Sequence, residues 1–435
     1  MVEAAALGLD NSVLLDNLSY KLGHGAAYVQ ERKSSTFYAT GNSYGTKGVK
    51  VIKILLSGDG FLDPQTFRVM FNVDNKDTNI AHVLRPLGDG HSFFSRMRIL
   101  MGGTVVEDIQ DYNRLAFMFG LLVSKNSKVN MAAEGFGLPP YAYNSIEGDA
   151  NFQGIPANSS HTILFAPLSG IFAQTKYIPL RYAPITLELE LCSSELDPIV
   201  SATGAFVTNT SVLWELSDVQ GKCDILTLDS ELENGYTQLL MSGKHLTLNY
   251  STYIHQYQAL ISQQTRLSVG RSLSRLKSVF VSFDRTGSYG AVYKKLNNFI
   301  SPMNASTRTN ILGDTNREMS FSVQLGAKQF PERAIASHQE AYYQLRKTMG
   351  VQSSALHSFD ISGQEYKRRS FILGIDTETV LHAPFTGYNT RDGTLLNIQF
   401  DLKSADDADK PSDMYIVLHS DNLIEISDSG VRCYD

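Results

Sequence analysis

The sequence predicts an all-β chain built from two tandem units, and three observations predict it. Runs with an apolar residue at every second position recur along most of the chain, the period of a strand with one buried face. A run in the second half, Ser274-Arg-Leu-Lys-Ser-Val279, repeats one in the first, Ser95-Arg-Met-Arg-Ile-Leu100. Each half also carries one main helical pattern and long loops. At 435 residues the chain is long enough for two large β units packed together.

Residues 1 to 48 read as an N-terminal arm, with a short helix-like piece from Asn11 to Leu18 followed by Gly- and Ser-rich sequence. Two readings stand for it: a frayed terminus, or a segment that orders against a neighbour or an underlying surface. Strands begin with Val49 to Leu56. The segment from Thr66 to Phe119 then organises the first unit. It opens on the alternation Phe67, Val69, Phe71, Val73 and crosses a loop broken by Pro86, Gly88 and Gly90. It resumes as the strand Phe94 to Met101. Gly102-Gly103 turns the chain into a return strand at Thr104, and Asp108 to Asp111 supply capping residues for a helix over Tyr112 to Val123.

A polar, glycine-rich excursion from Ser124 to Ser160 follows, of a length usually reserved for function or an interface. Strands return at His161 to Phe165 and Ile185 to Leu191, where the isoleucine and leucines share one face opposite Thr186, Glu188 and Glu190. Trp214 to Val219 and Cys223 to Leu228 complete the first unit, residues 49 to 228. Residues 229 to 244 form a polar, helical connector.

The second unit, 245 to 435, opens with the strongly alternating His245 to Ile254 and a further strand within Gln258 to Val269. The strand from Ser274 to Phe283 is expected as the counterpart of Phe94 to Met101. After a loop over Asp284 to Asn316 come a strand at Met319 to Leu325 and a helix headed by a capping box of Ser337 and Glu340. Basic Arg346 and Lys347 and then Gly350 mark its end. Strands resume at Ser370 to Ile375, Leu395 to Leu402, Met414 to His419 and Asn422 to Ile426. Two units of about 200 residues, each with strands, a short helix and long loops, fit two tandem eight-stranded jelly rolls side by side.

Composition narrows the function. Charged residues make up 19% of the chain against 43% hydrophobic, which leaves surface for contacts with neighbours, although a plain large β protein has a similar balance. The net charge is −6 without a basic tail, so direct nucleic-acid binding is not expected. Cys192, Cys223 and Cys433 lack zinc or disulfide spacing, and a reducing compartment fits them. No stretch reads as a secretory signal or a membrane span.

The sequence nominates no catalytic, cofactor-binding or metal-ligating residue. Gly41 to Gly48 has the wrong spacing for a phosphate loop, and Asp74-Asn75-Lys76-Asp77 reads as a hairpin turn rather than a calcium loop. His82, His91, His161, His245, His255, His338 and His382 are scattered without ligand spacing. Glu188 and Glu190 read as a solvated strand face rather than an acid/base pair. The basic pairs Arg96/Arg98 and Arg275/Lys277 carry two readings: an edge-protecting, solvent-facing role, or salt bridges to an adjacent subunit.

Four stretches carry a family likeness: Phe94 to Asn113; Ile178 to Leu191; Cys223 to Asp229 with Met241 to His245; and Pro384 to Gly393. Through them most of Val49 to Ile426 resembles the double jelly-roll major capsid proteins of eukaryotic double-stranded DNA viruses, most closely those of polinton-like viruses and virophage-like elements. The resemblance implies a non-enzymatic structural protein of the virion, assembled inside the host cell rather than secreted. It implies a homotrimer whose six rolls make a pseudo-hexameric capsomer, tiled with neighbouring capsomers, penton and minor capsid proteins into an icosahedral capsid. Residues 124 to 160 and 284 to 316 would serve as outer tower or intersubunit loops, and the arm would lie inside, near a membrane or minor capsid proteins. The alternative function is a β-sandwich carbohydrate-binding, lectin-like module.

Overall fold

The computed structural model describes residues 29–124, 133–135, 154–200, 209–262, 264–287, 293–303, 318–350, 361–378, 386–391, 394–403 and 411–435. The helix-like piece at 11 to 18 and most of the two long loops, 124 to 160 and 284 to 316, lie outside them.

The first unit contains β1 (Val29–Tyr38), β2 (Ser43–Tyr44), β3 (Val51–Leu56), β4 (Phe61–Asn75), β5 (Phe94–Met101), β6 (Thr104–Gln110), β7 (Ser160–Phe165), β8 (Ile178–Pro179), β9 (Ile185–Leu191) and β10 (Trp214–Leu228). One sheet runs β1-β10-β4-β7, with β2 and β8 as short additions, and the facing sheet runs β3-β9-β5-β6. The second unit contains β11 (Leu246–Ala259), β12 (Gln264–Val269), β13 (Leu276–Asp284), β14 (Glu318–Leu325), β15 (Lys328–Ile335), β16 (Ile372–Asp376), β17 (Leu396–Lys403), β18 (Asp413–Ser427) and β19 (Gly430–Tyr434). Its sheets run β11-β18-β13-β16, extended by β19, and β12-β17-β14-β15.

Setting β2, β8 and β19 aside and ranking the remaining strands of each unit in chain order gives one pattern twice. Both units pair first with eighth, eighth with third and third with sixth in one sheet, and second with seventh, seventh with fourth and fourth with fifth in the other. This is the order of a jelly roll, and its repetition makes the duplication architectural. Helices repeat as well. In chain order they are α1 (Tyr112–Leu121), α2 (Gly170–Ala173), α3 (Ser230–Met241), α4 (His338–Thr348) and α5 (Gly363–Arg368). Both α1 and the α4–α5 pair lie between the fifth and sixth strands of their unit, and α3 joins the units.

The repeated hexamer does not mark equivalent strands. β5 is the fourth strand of its roll, whereas β13 is the third of the other, so the counterpart of β5 is β14 and that of β13 is β4. Their environments differ too. β5 alternates between buried and half-buried residues, while β13 is buried on both faces from Ser278 onward. A basic–apolar alternation records a strand with one wet face; pairing partners alone decide which strand of a roll it is.

Several boundaries also move. Val29 to Tyr38, inside the segment expected as an arm, is the first strand of the first roll, with its edge against β10 from Val29↔Leu228 to Tyr38↔Gln220. Its side chains are mostly exposed, so it lacks the alternation by which strands are recognised. The pairs of runs expected over 214 to 228 and 414 to 426 are each one long strand, β10 and β18. β15 escapes sequence reading because it is a polar edge strand carrying Pro331. Asp74 to Asp77 is not a hairpin turn: β4 ends there and the chain crosses to β5 in the facing sheet.

The expected hairpin is present as β5–β6, turned by Gly102 at φ 55° and Gly103 at φ 86°. Between the sheets of the first roll, Phe71 meets Phe93, Phe94 and Phe165 edge-on at 6.2, 5.7 and 5.9 Å. In the second, Phe283 packs on Phe400 at 4.9 Å. A side chain at Gly103 would meet no atom within 4 Å, so its replacement tests the backbone alone. Gly103→Ala is expected to lower unfolding free energy by about 1–2 kcal/mol in urea titration, with an unchanged circular dichroism spectrum.

Candidate functional site at the seam between the two rolls

The polar residues singled out in the sequence do not converge. Arg96 makes a two-pronged pair with Asp108 at 2.8 and 2.6 Å, and Arg98 reaches Glu188 at 2.5 Å. Glu188 also holds Lys53 at 2.7 Å. Burial pushes the Glu188 carboxyl up, but the hydrogen bond from Lys53 and the charge of Arg98 outweigh it and hold the group below the ordinary range. These side chains form a cross-strand charge ladder on the outer face of β3-β9-β5-β6, with partners inside the chain. Lys277 lies 3.5 Å from both Glu378 and Asp421. Among the described residues no three His, Cys, Asp or Glu side chains group as metal ligands. Asp77 accepts from the Asn79 amide and pairs with His82 at 2.8 Å, which makes it a turn-holding residue.

What the fold does gather is a set of buried polar side chains where the rolls meet. At the end of β6 the chain bends through Asp111, at φ 46° and ψ 43°, into α1. Asp111 gives no side-chain cap to the helix. Its carboxylate instead meets the second roll, with Lys295 Nζ at 2.9 Å and His255 Nδ1 at 3.2 Å. The expected capping role is thus replaced by a cross-unit one.

One turn into α1, Arg114 is 2% exposed and enters the second roll. Its guanidinium donates to the Lys295 carbonyl, to Asn298 O at 3.0 Å, to Ser282 Oγ at 3.2 Å and to Phe283 O at 3.4 Å. It is sandwiched over Phe299 at 4.4 Å and Tyr415 at 4.0 Å. A planar cation with five donors suits a pocket of carbonyls and ring faces, where lysine would satisfy only part of it. Farther along α1, Phe117 stacks on Phe299 at 6.3 Å, and Phe119 meets Tyr253 at 4.7 Å and Phe280 at 5.3 Å. The second, buried face of β13 is explained by this packing.

A second polar lock lies along β6. Glu107, also 2% exposed, accepts from Ser169 Oγ at 2.5 Å, from the Gly170 amide at 2.9 Å and from Thr252 Oγ1 of β11 at 3.0 Å. Burial pushes its carboxyl up, and those hydrogen bonds oppose the rise. Gly170, at the start of α2, touches the second roll so closely that a Cβ there would lie 1.7 Å from Ser251 O. Tyr250 Oη donates to Val106 O, and Thr104 Oγ1 donates to Val431 O at 3.0 Å. Most of the buried apolar residues of both rolls form one continuous cluster across this seam.

Sequence reading missed Glu107, Arg114 and Gly170. Their one visible sign is a charged residue on an otherwise apolar face: Arg114 sits among Leu115, Phe117, Met118 and Phe119. Gly170→Ala is expected to cost about 2–3 kcal/mol of stability by overpacking the seam, read as a fall in melting temperature by calorimetry. Removing the buried partners should separate geometry from charge. Arg114→Ala is expected to lose about 3 kcal/mol through its stranded carbonyls, whereas Glu107→Gln, which keeps acceptor and shape, stays within about 1 kcal/mol of the parent in denaturant titration.

No protein-family model matches the chain, and no curated protein does. Solved structures do. The PBCV-1 protein VP54, fitted into a reconstruction of the virophage Sputnik, is similar at TM-score 0.61 and 12% identity, over 95% of this chain and 98% of that one. A chain of the Sputnik virophage itself gives 0.59 at 9% identity, over 96% and 91%. The Faustovirus major capsid protein gives 0.58 at 10%, over 95% and 93%. Identity this low speaks for the fold, and coverage of nearly the full length on both sides makes it a fold of both rolls together. With the repeated strand order and the buried seam, the chain is a double jelly roll.

Proposed function

We propose that the chain is a major capsid protein, three copies of which form a pseudo-hexameric capsomer. The observation that carries this is the double jelly roll, matched over 95% of the chain at TM-score 0.58 to the Faustovirus major capsid protein, with its two rolls fused by a buried seam. Two rolls of one strand order held rigidly side by side give a threefold assembly six similar wedges, and so a nearly hexagonal outline suited to tiling. A floppy linker between rolls would not hold that outline. The seam does so with buried polar locks at Glu107 and Arg114.

The sheet edges support the same reading. β3 ends its sheet and exposes Val51 and Leu55, with Val49 just before it, and Ile80 and Ile261 stand 89% and 88% exposed. Exposed apolar groups on an end strand and in loops are poorly suited to a lone subunit and well suited to one covered by neighbours. The role proposed is structural rather than enzymatic, in a virion. Neighbouring capsomers, penton and minor capsid proteins are the partners, and the kinship with polinton-like viruses belongs to this proposal. We place the start of the first roll at Val29, so that the proposed arm shortens to the residues before it. The lectin-like reading draws no support from the capsid proteins that the chain resembles.

Light scattering after size exclusion provides the test. The recombinant chain is expected at three times its mass of 48.1 kDa, or as shell-like particles visible by electron microscopy. A stable monomer at micromolar concentration, or a monomer retained on a glycan array, would overturn the capsid reading.

A further inference from the structure

The face that the second roll turns toward the first is unusual in what it buries. Tyr253 and His255 on β11 and Tyr415 and His419 on β18 lie on the sheet that packs against α1. The His255 side chain is 3% exposed. Nδ1 lies 3.2 Å from Asp111 Oδ2, and Nε2 is buried with no hydrogen-bond partner among the described residues. The ring stacks on Tyr415 at 5.6 Å, whose other neighbours include the Arg114 guanidinium and Lys295 Nζ.

His419 stacks on Tyr253 at 4.9 Å, and its Nδ1 lies 3.1 Å from Ser278 Oγ. Lys277 lies near enough to repel a charge on it, and is itself held by Glu378 and Asp421. From the first roll, the charged side chains that face this surface are Asp111, Arg114 and Glu107, the last through Thr252 and Tyr253.

We propose that the seam is an acid-sensitive latch, in which protonation of His255, seconded by His419, loosens the hold of the second roll on α1 and β6. With Nδ1 turned to Asp111, a proton arriving at His255 goes to Nε2, which has no acceptor among the described residues to receive its hydrogen. It adds a positive charge to a seam that already contains Arg114 and Lys295, with Asp111 as the carboxylate in contact. Water would supply the missing acceptor if the seam parted. Burial, and then the neighbouring cations, push His255 down to about 4 despite Asp111, and burial with Lys277 pushes His419 down to about 3.

The direction in pH follows. Each group has a folded value below its ordinary 6.5, so the open form binds more protons between them. The closed seam is fully favoured above about 6.5 and loses this contribution as pH falls toward about 4. Glu107 acts oppositely, since its raised carboxyl favours the closed form at low pH. The Glu107→Gln variant therefore removes a brake and should steepen the acid response.

Cysteines report the event without any added label site. Cys433 is half-buried in β19, 3.4 Å from Tyr250 Oη at the seam, while Cys192 and Cys223 are buried within the first roll. The full chain is treated with 4,4′-dithiodipyridine, which reacts with thiols in mild acid, at pH 7.0 and 4.5. Labelled sites are assigned by mass spectrometry. Expected, after division by the rate of free glutathione at the same pH, is a Cys433 labelling rate at least about tenfold faster at pH 4.5, with Cys192 and Cys223 still protected. His255→Gln with His419→Gln should flatten the response, and Glu107→Gln should enlarge it. A Cys433 rate that does not rise, all three thiols reacting together, or a double variant with the parent's response would each overturn the latch.

Discussion

Everything distinctive about this chain depends on burying Arg114 where its two rolls meet. A single jelly roll satisfies its backbone internally and needs no partner. Here the helix after β6 carries a guanidinium into the other roll, where carbonyls of the 295–298 segment and of β13 surround it between two aromatic rings. Parting the rolls would exchange those hydrogen bonds for bonds to water and expose the ring faces that sandwich the cation. The apolar contacts of Phe117 and Phe119 add non-directional adhesion; the guanidinium fork fixes the angle.

The polar locks also explain why the seam is not simply greasy. An all-apolar interface between two similar rolls would tolerate sliding, because pairs of leucines and phenylalanines repack at modest cost. Glu107 must meet Ser169, Gly170 and Thr252 together, and Gly170 must fit against Ser251 with no side chain to spare. One relative placement satisfies all of them. Such fixed placement is what a subunit needs if several copies are to close into a ring, since an angular error in one copy recurs in each.

The outer faces behave differently. The ladder of Lys53, Arg98, Glu188, Arg96 and Asp108, with Glu190 beside Arg96, is neutralised within its own sheet, so it contributes little net field and modest stability at a partly exposed surface. The end strands β1 and β3 carry scattered exposed apolar side chains, among them Tyr38, Val51 and Leu55. Internal rigidity is concentrated at the seam, and the capacity for further contact at the edges.

The sequence by itself determined the all-β class, the tandem arrangement, the β5–β6 hairpin with its glycines, α1, and the capped helix at Ser337. These are local: strand period, turn conformation and capping are encoded within a few neighbouring residues. Only the tertiary structure decided which strands correspond, because Ser95 to Leu100 and Ser274 to Val279 share an alternation but have different partners. It also decided that the exposed β1 belongs to the first roll, and that Asp111 serves the second roll rather than its own helix. Above all it decided the seam. Glu107 and Thr252 are 145 residues apart and Arg114 and Asn298 184 apart, so nothing local marks them as partners. A buried charge in a sequence shows only as an interruption of an apolar pattern; what satisfies it is known once the distant chain has come back to meet it.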